Sequence, residues 1–236
     1  MDHTEVSKTL IDFWSKALSI TDEDKKELEG CSPDDYKELA PSEKLFEAAA
    51  SLGTCKRVLD YGCGYAWAGI IAARSGCEQV TAVDPAAGAV ESAKAYAEFF
   101  GAKERMEISC VDTDWLSRQP EGTYDGFICS NVLDVVPTEV AEEILREAAR
   151  VLTEGAKVII GLNFYLSPES AKEKGIELQD GNLLFENGVL RMVCRSDAEW
   201  EAFFDRYFTV ERLEHFAWPG ETREARRLFY LKKKGV

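Results

Sequence analysis

The sequence predicts an α/β fold in which a mostly parallel, seven-stranded sheet is covered on both sides by helices. Three observations support this prediction. Short apolar runs alternate with helix-forming segments from residue 57 to residue 162, and the first run ends on a carboxylate and a glycine-rich turn, Asp60-Tyr61-Gly62-Cys63-Gly64. The link Glu214–Arg226 between the last two apolar runs is too short for a comfortable crossover helix. The last strand is therefore expected to be antiparallel to its neighbours.

Composition limits the class of protein before any motif is considered. The chain has 236 residues, 45% of them hydrophobic, which is enough for one α/β domain with a sizeable core. It contains no run of about 18 apolar residues and no basic-then-apolar leader, so we expect a cytoplasmic protein without a membrane partner. The net charge of −15 would repel a phosphate backbone, and nucleic acid is not an expected partner. The sequence does not predict the oligomeric state.

The cysteine pattern argues against a disulfide framework and against a zinc site. Seven cysteines are scattered along the chain, and none is spaced C-x-x-C. We expect reduced, mostly buried thiols and no bound metal.

Residues 1–54 are predicted to form a helical lid that precedes the first strand. Apolar residues lie on one helical face between Thr4 and Ser19, a capping pattern begins a second helix at Thr21, and a third helix starts after Pro41. Tyr36 lies in the predicted loop between the second and third helices. It is a candidate substrate contact, with an ordinary surface tyrosine as the alternative.

The turn that follows the first strand is the most informative stretch of the chain. Gly62 and Gly64 allow a sharp turn and a close approach of a ligand to the backbone, and the free N–H groups of the next helix face the same crevice. A nucleotide-like ligand fits such a turn, and in parallel sheets it lies outside the carboxyl ends of the strands.

The second strand, Gln79–Val83, ends on Asp84 and Pro85, 20 residues beyond Gly64. A carboxylate at this place in such folds accepts hydrogen bonds from the two ribose hydroxyls. Asp84 is therefore a predicted ribose ligand. Capping of the next helix by Asp84 is an alternative that is compatible with this role.

The third and fourth strands end on further polar residues. The third, Met106–Val111, is followed by Asp112-Thr113-Asp114-Trp115, where a carboxylate could accept from an exocyclic amine and an aromatic ring could stack on a base. A loop of polar caps is the alternative. The fourth strand, Tyr124–Cys129, is expected beside the first, so Ser130 and Asn131 at its end would face the reactive part of the ligand.

The chain departs from the regular alternation of strand and helix after the fifth strand, Lys157–Leu162, which ends on Asn163. A hairpin hinged on Asn187-Gly188 is predicted within an insertion that spans about residues 167–195. Two more strands close the chain, and Trp218 lies in the link between them. Asn163 and Trp218 are candidate substrate contacts.

The turn V-L-D-Y-G-C-G at Val58–Gly64 resembles that of class I S-adenosylmethionine-dependent methyltransferases, in particular the small bacterial members. The resemblance covers residues 56 to 232 and implies a Rossmann-like, doubly wound domain, here residues 55–236, with S-adenosylmethionine as its cofactor. It implies that Asp60, Gly62 and Gly64 surround the methionine part of the cofactor, that Asp84 binds the ribose and that Asp112 binds the adenine amine. The full predicted cofactor set is Asp60, Gly62, Cys63, Gly64, Trp67, Asp84, Pro85, Asp112, Thr113, Ser130 and Asn131.

The sequence departs from the family pattern at Ala66, where a third glycine is usual. Trp67 beside it is bulkier than usual and is a candidate wall for the sulfonium, because a cation is attracted to an aromatic face. Core packing is the alternative for Trp67.

The predicted activity is methyl transfer to an oxygen, nitrogen or sulfur atom of a small molecule. One alternative is a cofactor-binding protein without catalysis. Another is a nicotinamide-dependent oxidoreductase, which is disfavoured because its G-x-G-x-x-G turn would need glycine at the position of Trp67.

His215 is the candidate general base. The chain has only two histidines, and His3 is close to the terminus. The strand that carries His215 is expected to run parallel to the first and to end on the cofactor side. A structural hydrogen bond at the end of the sheet is the alternative role.

Overall fold

The computed structural model describes residues 3–235, with side chains from residue 5 onward, so the side chain of His3 lies outside the described part. The α-helices in that part are α1 (His3–Ala17), α2 (Asp22–Glu29), α3 (Glu43–Ser51), α4 (Trp67–Arg74), α5 (Ala87–Phe99), α6 (Thr138–Val151), α7 (Pro168–Glu173) and α8 (Asp197–Phe204). The strands are β1 (Arg57–Tyr61), β2 (Gln79–Asp84), β3 (Met106–Cys110), β4 (Tyr124–Ser130), β5 (Leu152–Leu162), β6 (Leu183–Glu186), β7 (Val189–Val193), β8 (Phe208–Phe216) and β9 (Arg226–Lys233).

The central sheet has seven strands in the order β3-β2-β1-β4-β5-β9-β8. Strands β1 to β5 pair in parallel, and β9 is antiparallel to both β5 and β8. The predicted fold class is thereby confirmed, including the antiparallel last strand. Strand β1 lies between β2 and β4, so the strand order reverses there, and a crevice opens at the carboxyl ends of such a pair.

Helices bury both faces of the sheet. On one face α3 and α4 pack against side chains of alternate sheet positions, among them Val58, Ile128 and Ile159. On the other face α6 and α8 cover the intervening positions, including Leu59, Phe127 and Val158. Successive side chains of β1 and β4 thus enter opposite cores, because they point to opposite faces of the sheet.

The segment before β1 is more helical than predicted. Its three expected α-helices are present, but the segment after α2 is a 3-10 helix, Pro33–Leu39, rather than a loop. Ser32 begins it with a reciprocal capping box to Asp35. Tyr36 is therefore held in a helical turn, a correction to the prediction that it lies in a loop.

The predicted hairpin is formed by β6 and β7, which make a separate two-stranded sheet. Asn187 and Gly188 both have positive φ, 51° and 78°, as a two-residue hairpin turn requires. The guanidinium of Arg191 on β7 lies 4.6 Å from the ring centroid of Phe13 on α1. The hairpin thus supports the N-terminal helix from outside.

Candidate active site

A cavity of about 460 Å³ opens at the carboxyl ends of β1, β2 and β4 and is covered by α1. Its volume lies within the range of small-molecule sites, about 300–1,000 Å³. Ten of the residues predicted for the site line it: Asp60, Gly62, Cys63, Gly64, Trp67, Asp84, Pro85, Ser130, Asn131 and Trp218. Further walls come from Leu10, Ile11, Trp14, Leu18, Pro41, Leu45, Tyr65, Ala68, Ala86, Val132, Val135, Val136 and Pro219.

The turn after β1 depends on residues in the left-handed region. Gly62 has a φ of 68° and Gly64 a φ of 55°. A Cβ at Gly62 would lie 2.4 Å from Cγ2 of Val132, so this position also excludes a side chain sterically. Ala66, where the family usually has glycine, keeps the same conformation with a φ of 60° immediately before α4. An alanine in this left-handed conformation is more strained than a glycine would be.

Asp84 connects the turn to the next helix. Its carboxylate accepts from the N–H of Gly64 at 3.0 Å and from the N–H of Ala86 at 2.8 Å. The residue is 8% exposed, and burial raises the pKa of its carboxyl group. Each carboxylate oxygen keeps acceptor capacity beyond its backbone hydrogen bond, so Asp84 can bind hydroxyl groups of a ligand while it holds the turn.

Asp60 is a second buried carboxylate in the cavity wall. It accepts from the N–H of Gly69 on α4 at 2.9 Å. Burial raises its pKa to about 7, and the neighbouring charge of Asp84 adds to the increase. A cationic ligand in the cavity would favour the ionised form of Asp60.

The raised pKa of Asp60 predicts a specific dependence of stability on pH. Relative to Asp60→Asn, the free energy of unfolding of the native protein should fall as the pH rises from about 4 to about 7 and then level off. The sign follows because the folded state holds the proton more tightly than the unfolded state. Denaturant unfolding of both proteins between pH 4 and 8 tests this, and a constant difference between them would contradict the assigned environment.

Cys63 is a neutral thiol in the cavity wall. Burial raises its pKa well above the usual range, so the thiolate required of a nucleophile is disfavoured.

Helix α1 is anchored over the cavity by polar contacts with α5. The N–H of Gly88 donates to Oγ of Ser15 at 3.0 Å, and Oγ of Ser92 donates to the carbonyl oxygen of Leu18. The helices approach so closely that a Cβ at Gly88 would lie 2.0 Å from the carbonyl oxygen of Ser15. Sequence analysis predicted an amphipathic helix here, but the glycine that allows this approach gave no recognisable signal.

The link between β8 and β9 forms the opposite wall. The Arg226 guanidinium lies 3.4 Å from the ring centroid of Trp218 and also binds the Glu221 carboxylate at 2.7 Å. It donates further to Oδ1 of Asn163 at 2.6 Å, and the same oxygen is 3.3 Å from Nδ2 of Asn131. Asn163 is thus near the cavity, behind Asn131, but it does not line it.

Asp112 and Thr113 do not line the cavity, although both were predicted to bind the cofactor. Asp112 is exposed, and its carboxylate is paired with Arg118 at 2.6 Å and accepts from the N–H of Asp114 at 3.1 Å. Thr113 is also exposed. The third strand thus ends in a polar capped loop, which was the alternative interpretation, and the predicted position of these residues is corrected.

Tyr36 also lies outside the cavity wall. The guanidinium of Arg74 is 4.6 Å from its ring centroid, and the ring packs against the core on the α3 and α4 face. The cation–π contact thus covers one face of the ring.

His215 points to the α8 face of the sheet rather than into the cavity. Its Nε2 lies 3.0 Å from Oδ2 of Asp197 at the start of α8. The neighbouring Phe216 enters the core on the opposite face. The strand runs in the predicted direction, but the alternation of side chains turns His215 away, so its predicted position on the cavity side is corrected. The hydrogen bond to Asp197 favours the structural role that was the alternative.

The position of His215 outside the cavity predicts that its replacement has a mild effect. His215→Asn should keep methyl-transfer turnover within about two-fold of the native protein, because general-base catalysis contributes about 10²- to 10⁴-fold where it operates. Turnover measured from pH 6 to 9 tests this. A loss of 100-fold or more in a folded variant would return His215 to the reaction.

Part of the chain is similar to a known family of domains. Residues 58–155 match a family model described as a methyltransferase domain. The ribosomal protein L11 methyltransferase of Shewanella piezotolerans is 30% identical over 102 residues, which are 43% of this chain and 30% of the relative. The match thus spans less than a third of that relative's length.

Solved structures share the fold over most of the chain. The 1,6-didemethyltoxoflavin-N1-methyltransferase of Burkholderia thailandensis, solved with 1,6-didemethyltoxoflavin and S-adenosylhomocysteine, has a TM-score of 0.61 at 18% identity and covers 83% of this chain and 80% of its own. The [4+2]-cyclase SpnF has a TM-score of 0.62 at 18% identity, over 82% of this chain and 81% of its own.

These findings agree with the class that the sequence predicted, an S-adenosylmethionine-dependent methyltransferase, over the part of the chain that the family model covers. Residues 58–155, from β1 to the start of β5, are the part of the chain that matches the methyltransferase domain. The class does not by itself define the acceptor.

No helix among residues 3–235 has the length and apolar character needed to cross a lipid bilayer. Within the described part of the chain, no three or more His, Cys, Asp or Glu side chains are grouped so as to hold a metal ion.

Proposed function

We propose that this protein transfers the methyl group of S-adenosylmethionine to a nucleophilic atom of a small molecule held in the cavity. The observation that carries the proposal is the convergence of the Gly62–Gly64 turn and the carboxylates of Asp60 and Asp84 on one cavity. No other described cavity combines a glycine turn with carboxylates at the carboxyl ends of parallel strands.

The residues present fit the cofactor. The carboxylate of Asp84 has acceptor capacity for the ribose hydroxyls, and Gly62 and Gly64, both with positive φ, form the turn that lines the cavity. Asp60 offers negative charge to the cationic amino acid part, and Trp67 adds an aromatic face to the wall. S-Adenosylmethionine bound in this cavity supplies a methyl group activated by a positively charged sulfur.

The contribution of the chain to catalysis is positioning and exclusion of water. Helix α1 and Trp218 close the cavity from two sides, and the wall is mainly apolar. Among the described lining residues there is no histidine or lysine to act as an ordinary general base. Alignment of two reactants in a closed site can supply about 7–11 kcal/mol of the barrier reduction, so methyl transfer can proceed without such a base.

A small acceptor fits better than a macromolecule. The curated relative acts on a ribosomal protein, whereas the Burkholderia enzyme binds a small heterocycle. A cavity of about 460 Å³ that is covered by α1 suits the second kind of acceptor. The net charge of −15 also disfavours nucleic acid. We further propose a cytoplasmic location, which is supported by the free state of all seven cysteines.

Thermal unfolding with S-adenosylmethionine, S-adenosylhomocysteine, NADH and NADPH tests the proposal. A ligand at about 100 times its dissociation constant stabilises the folded state by about 2.7 kcal/mol. Both adenosyl ligands should raise Tm, and the two nicotinamide cofactors should not. A shift with NADH alone would support the oxidoreductase alternative. Binding of the adenosyl ligands without methylation of any acceptor would support the non-catalytic one.

A further inference from the structure

We propose that the acceptor is a neutral small molecule with a tertiary or heteroaromatic nitrogen or a thioether sulfur, which becomes a cation when it is methylated. This inference rests on the proposed function and deepens it by naming the substrate class. Carboxylates, phosphates and hydroxyl groups that must lose a proton would be poor acceptors.

The cavity wall carries negative charge and no positive charge. Among its described lining residues, the charged side chains are the carboxylates of Asp60 and Asp84, with no lysine, arginine or histidine. Both carboxylates are buried, at 4% and 8% exposure. An anionic acceptor would therefore lose its hydration in a cavity that offers no cationic partner, which is strongly unfavourable.

Cations that border the wall from outside are already paired. Lys44, next to Leu45 in the wall, binds Glu224 at 2.8 Å. Arg191, whose guanidinium is 5.5 Å from the ring centroid of Trp14, pairs with Glu186 at 3.5 Å.

Arg226, stacked on Trp218, forms hydrogen bonds from two of its nitrogens to Glu221 and a third to Asn163. Each bordering cation thus has a carboxylate partner. Recruitment of any of them by an anionic acceptor would break that pair.

The aromatic wall suits a cationic product. Trp14, Trp67 and Trp218 come from α1, α4 and the link after β8, and all three line the cavity. Indole faces attract cations more strongly than other aromatic side chains. Arg191 and Arg226 already lie over Trp14 and Trp218, at 5.5 and 3.4 Å from the ring centroids. Trp67, which makes no such contact among the described residues, is therefore the ring that would stabilise a charge developing on the acceptor.

Without a general base in the cavity, the acceptor atom must react without first losing a proton. Cys63 is held as a thiol, and His215 lies on the α8 face. The Asp60 carboxylate, whose pKa of about 7 would suit a general base, accepts the N–H of Gly69 and is assigned above to the cationic part of the cofactor, and the Asp84 carboxylate is assigned to the ribose. A neutral nitrogen or sulfur reacts through its lone pair. That pair forms the new bond to carbon, while the electron pair of the broken carbon–sulfur bond stays on the cofactor sulfur. The positive charge moves to the acceptor, and no proton has to leave.

Binding of three small probes at pH 7.5 tests the inference without measuring turnover. Isoquinoline is neutral, N-methylisoquinolinium represents the cationic product, and 1-naphthoate is an anion of similar ring area. Calorimetric titrations of the protein saturated with S-adenosylhomocysteine should show at least ten-fold tighter binding of both isoquinoline probes than of 1-naphthoate. Equal or tighter binding of 1-naphthoate, or no binding of isoquinoline, would overturn the proposal.

Two lysine variants on α1 provide a matched comparison. Ile11 lines the cavity and is half-buried, whereas Ala17 is exposed and does not line it. Ile11→Lys should weaken binding of N-methylisoquinolinium at least ten-fold and strengthen that of 1-naphthoate, whereas Ala17→Lys should change neither. Identical behaviour of the two variants would count against the proposal.

Titration with S-adenosylhomocysteine alone, carried out before the probes are added, distinguishes failure of the proposed function from failure of the acceptor inference. If it does not bind, the proposed function fails, and the acceptor inference fails with it. If it binds and 1-naphthoate is preferred, only the acceptor inference fails.

Discussion

Replacement of Asp84 by alanine is expected to lower the affinity for S-adenosylhomocysteine by about 100-fold. The carboxylate is the group proposed to accept hydrogen bonds from both ribose hydroxyls. Loss of such charge-assisted hydrogen bonds costs about 2 to 4 kcal/mol of binding free energy. A 100-fold loss of affinity corresponds to about 2.7 kcal/mol and lies within this range. The N–H groups of Gly64 and Ala86 would also lose their acceptor, which loosens the turn that surrounds the ligand.

The same substitution has opposing effects on stability. Two backbone N–H groups lose their acceptor, but a buried carboxylate whose pKa is raised by burial is also removed. We expect a net loss of about 1 kcal/mol, which lowers Tm by about 2–4 °C in a chain of this size.

Asp112→Ala is the control for Asp84→Ala, because it removes the other predicted strand-end carboxylate. Asp112 is exposed and paired with Arg118, so its replacement should change the affinity for S-adenosylhomocysteine by less than about three-fold. Calorimetry on both variants decides between the two positions. An equal loss of affinity in Asp112→Ala would show that the third strand end does bind the ligand.

Gly88→Ala is expected to release α1 from the cavity. Alanine normally stabilises a helix interior by about 1 kcal/mol relative to glycine. Here its Cβ would lie 2.0 Å from the Ser15 carbonyl oxygen and 2.1 Å from Oγ of Ser19, so the two helices must separate. The variant should bind S-adenosylhomocysteine at least ten-fold more weakly, and α1 should become sensitive to protease while the rest of the chain stays protected.

Glu91→Ala is the control, because it introduces an alanine at an exposed position of the same helix. Glu91 is exposed, and its replacement leaves the contact between α1 and α5 intact. Affinity and protease resistance should match those of the native protein. If Gly88→Ala also behaves like the native protein, α1 does not close the site.

The sequence predicted the elements that are determined locally. The turn at Gly62 and Gly64, the parallel strands that end on Asp84 and Ser130, and the hairpin on Asn187 all follow from residue types at fixed spacing. The antiparallel last strand followed from the length of one link. Each of these features depends on neighbours in the chain, which a single sequence shows.

The errors concern side chains whose partners are distant in sequence or that alternate between faces. Tyr36 is covered by Arg74, and His215 is bound by Asp197, pairs that only the folded chain brings together. Asp112 is held by Arg118 within one loop, whose shape a single sequence does not show. The close approach of α1 to α5 likewise depends on Gly88, an ordinary glycine in the sequence.

A crystal structure of the protein with S-adenosylhomocysteine is the most direct test of the central claim, that the cavity at the carboxyl ends of β1, β2 and β4 is the cofactor site. The ligand should occupy this cavity beneath α1, in contact with Asp84 and with the Gly62–Gly64 turn. A ligand bound elsewhere, or a cavity that stays free of ligand at a saturating concentration, would contradict the claim.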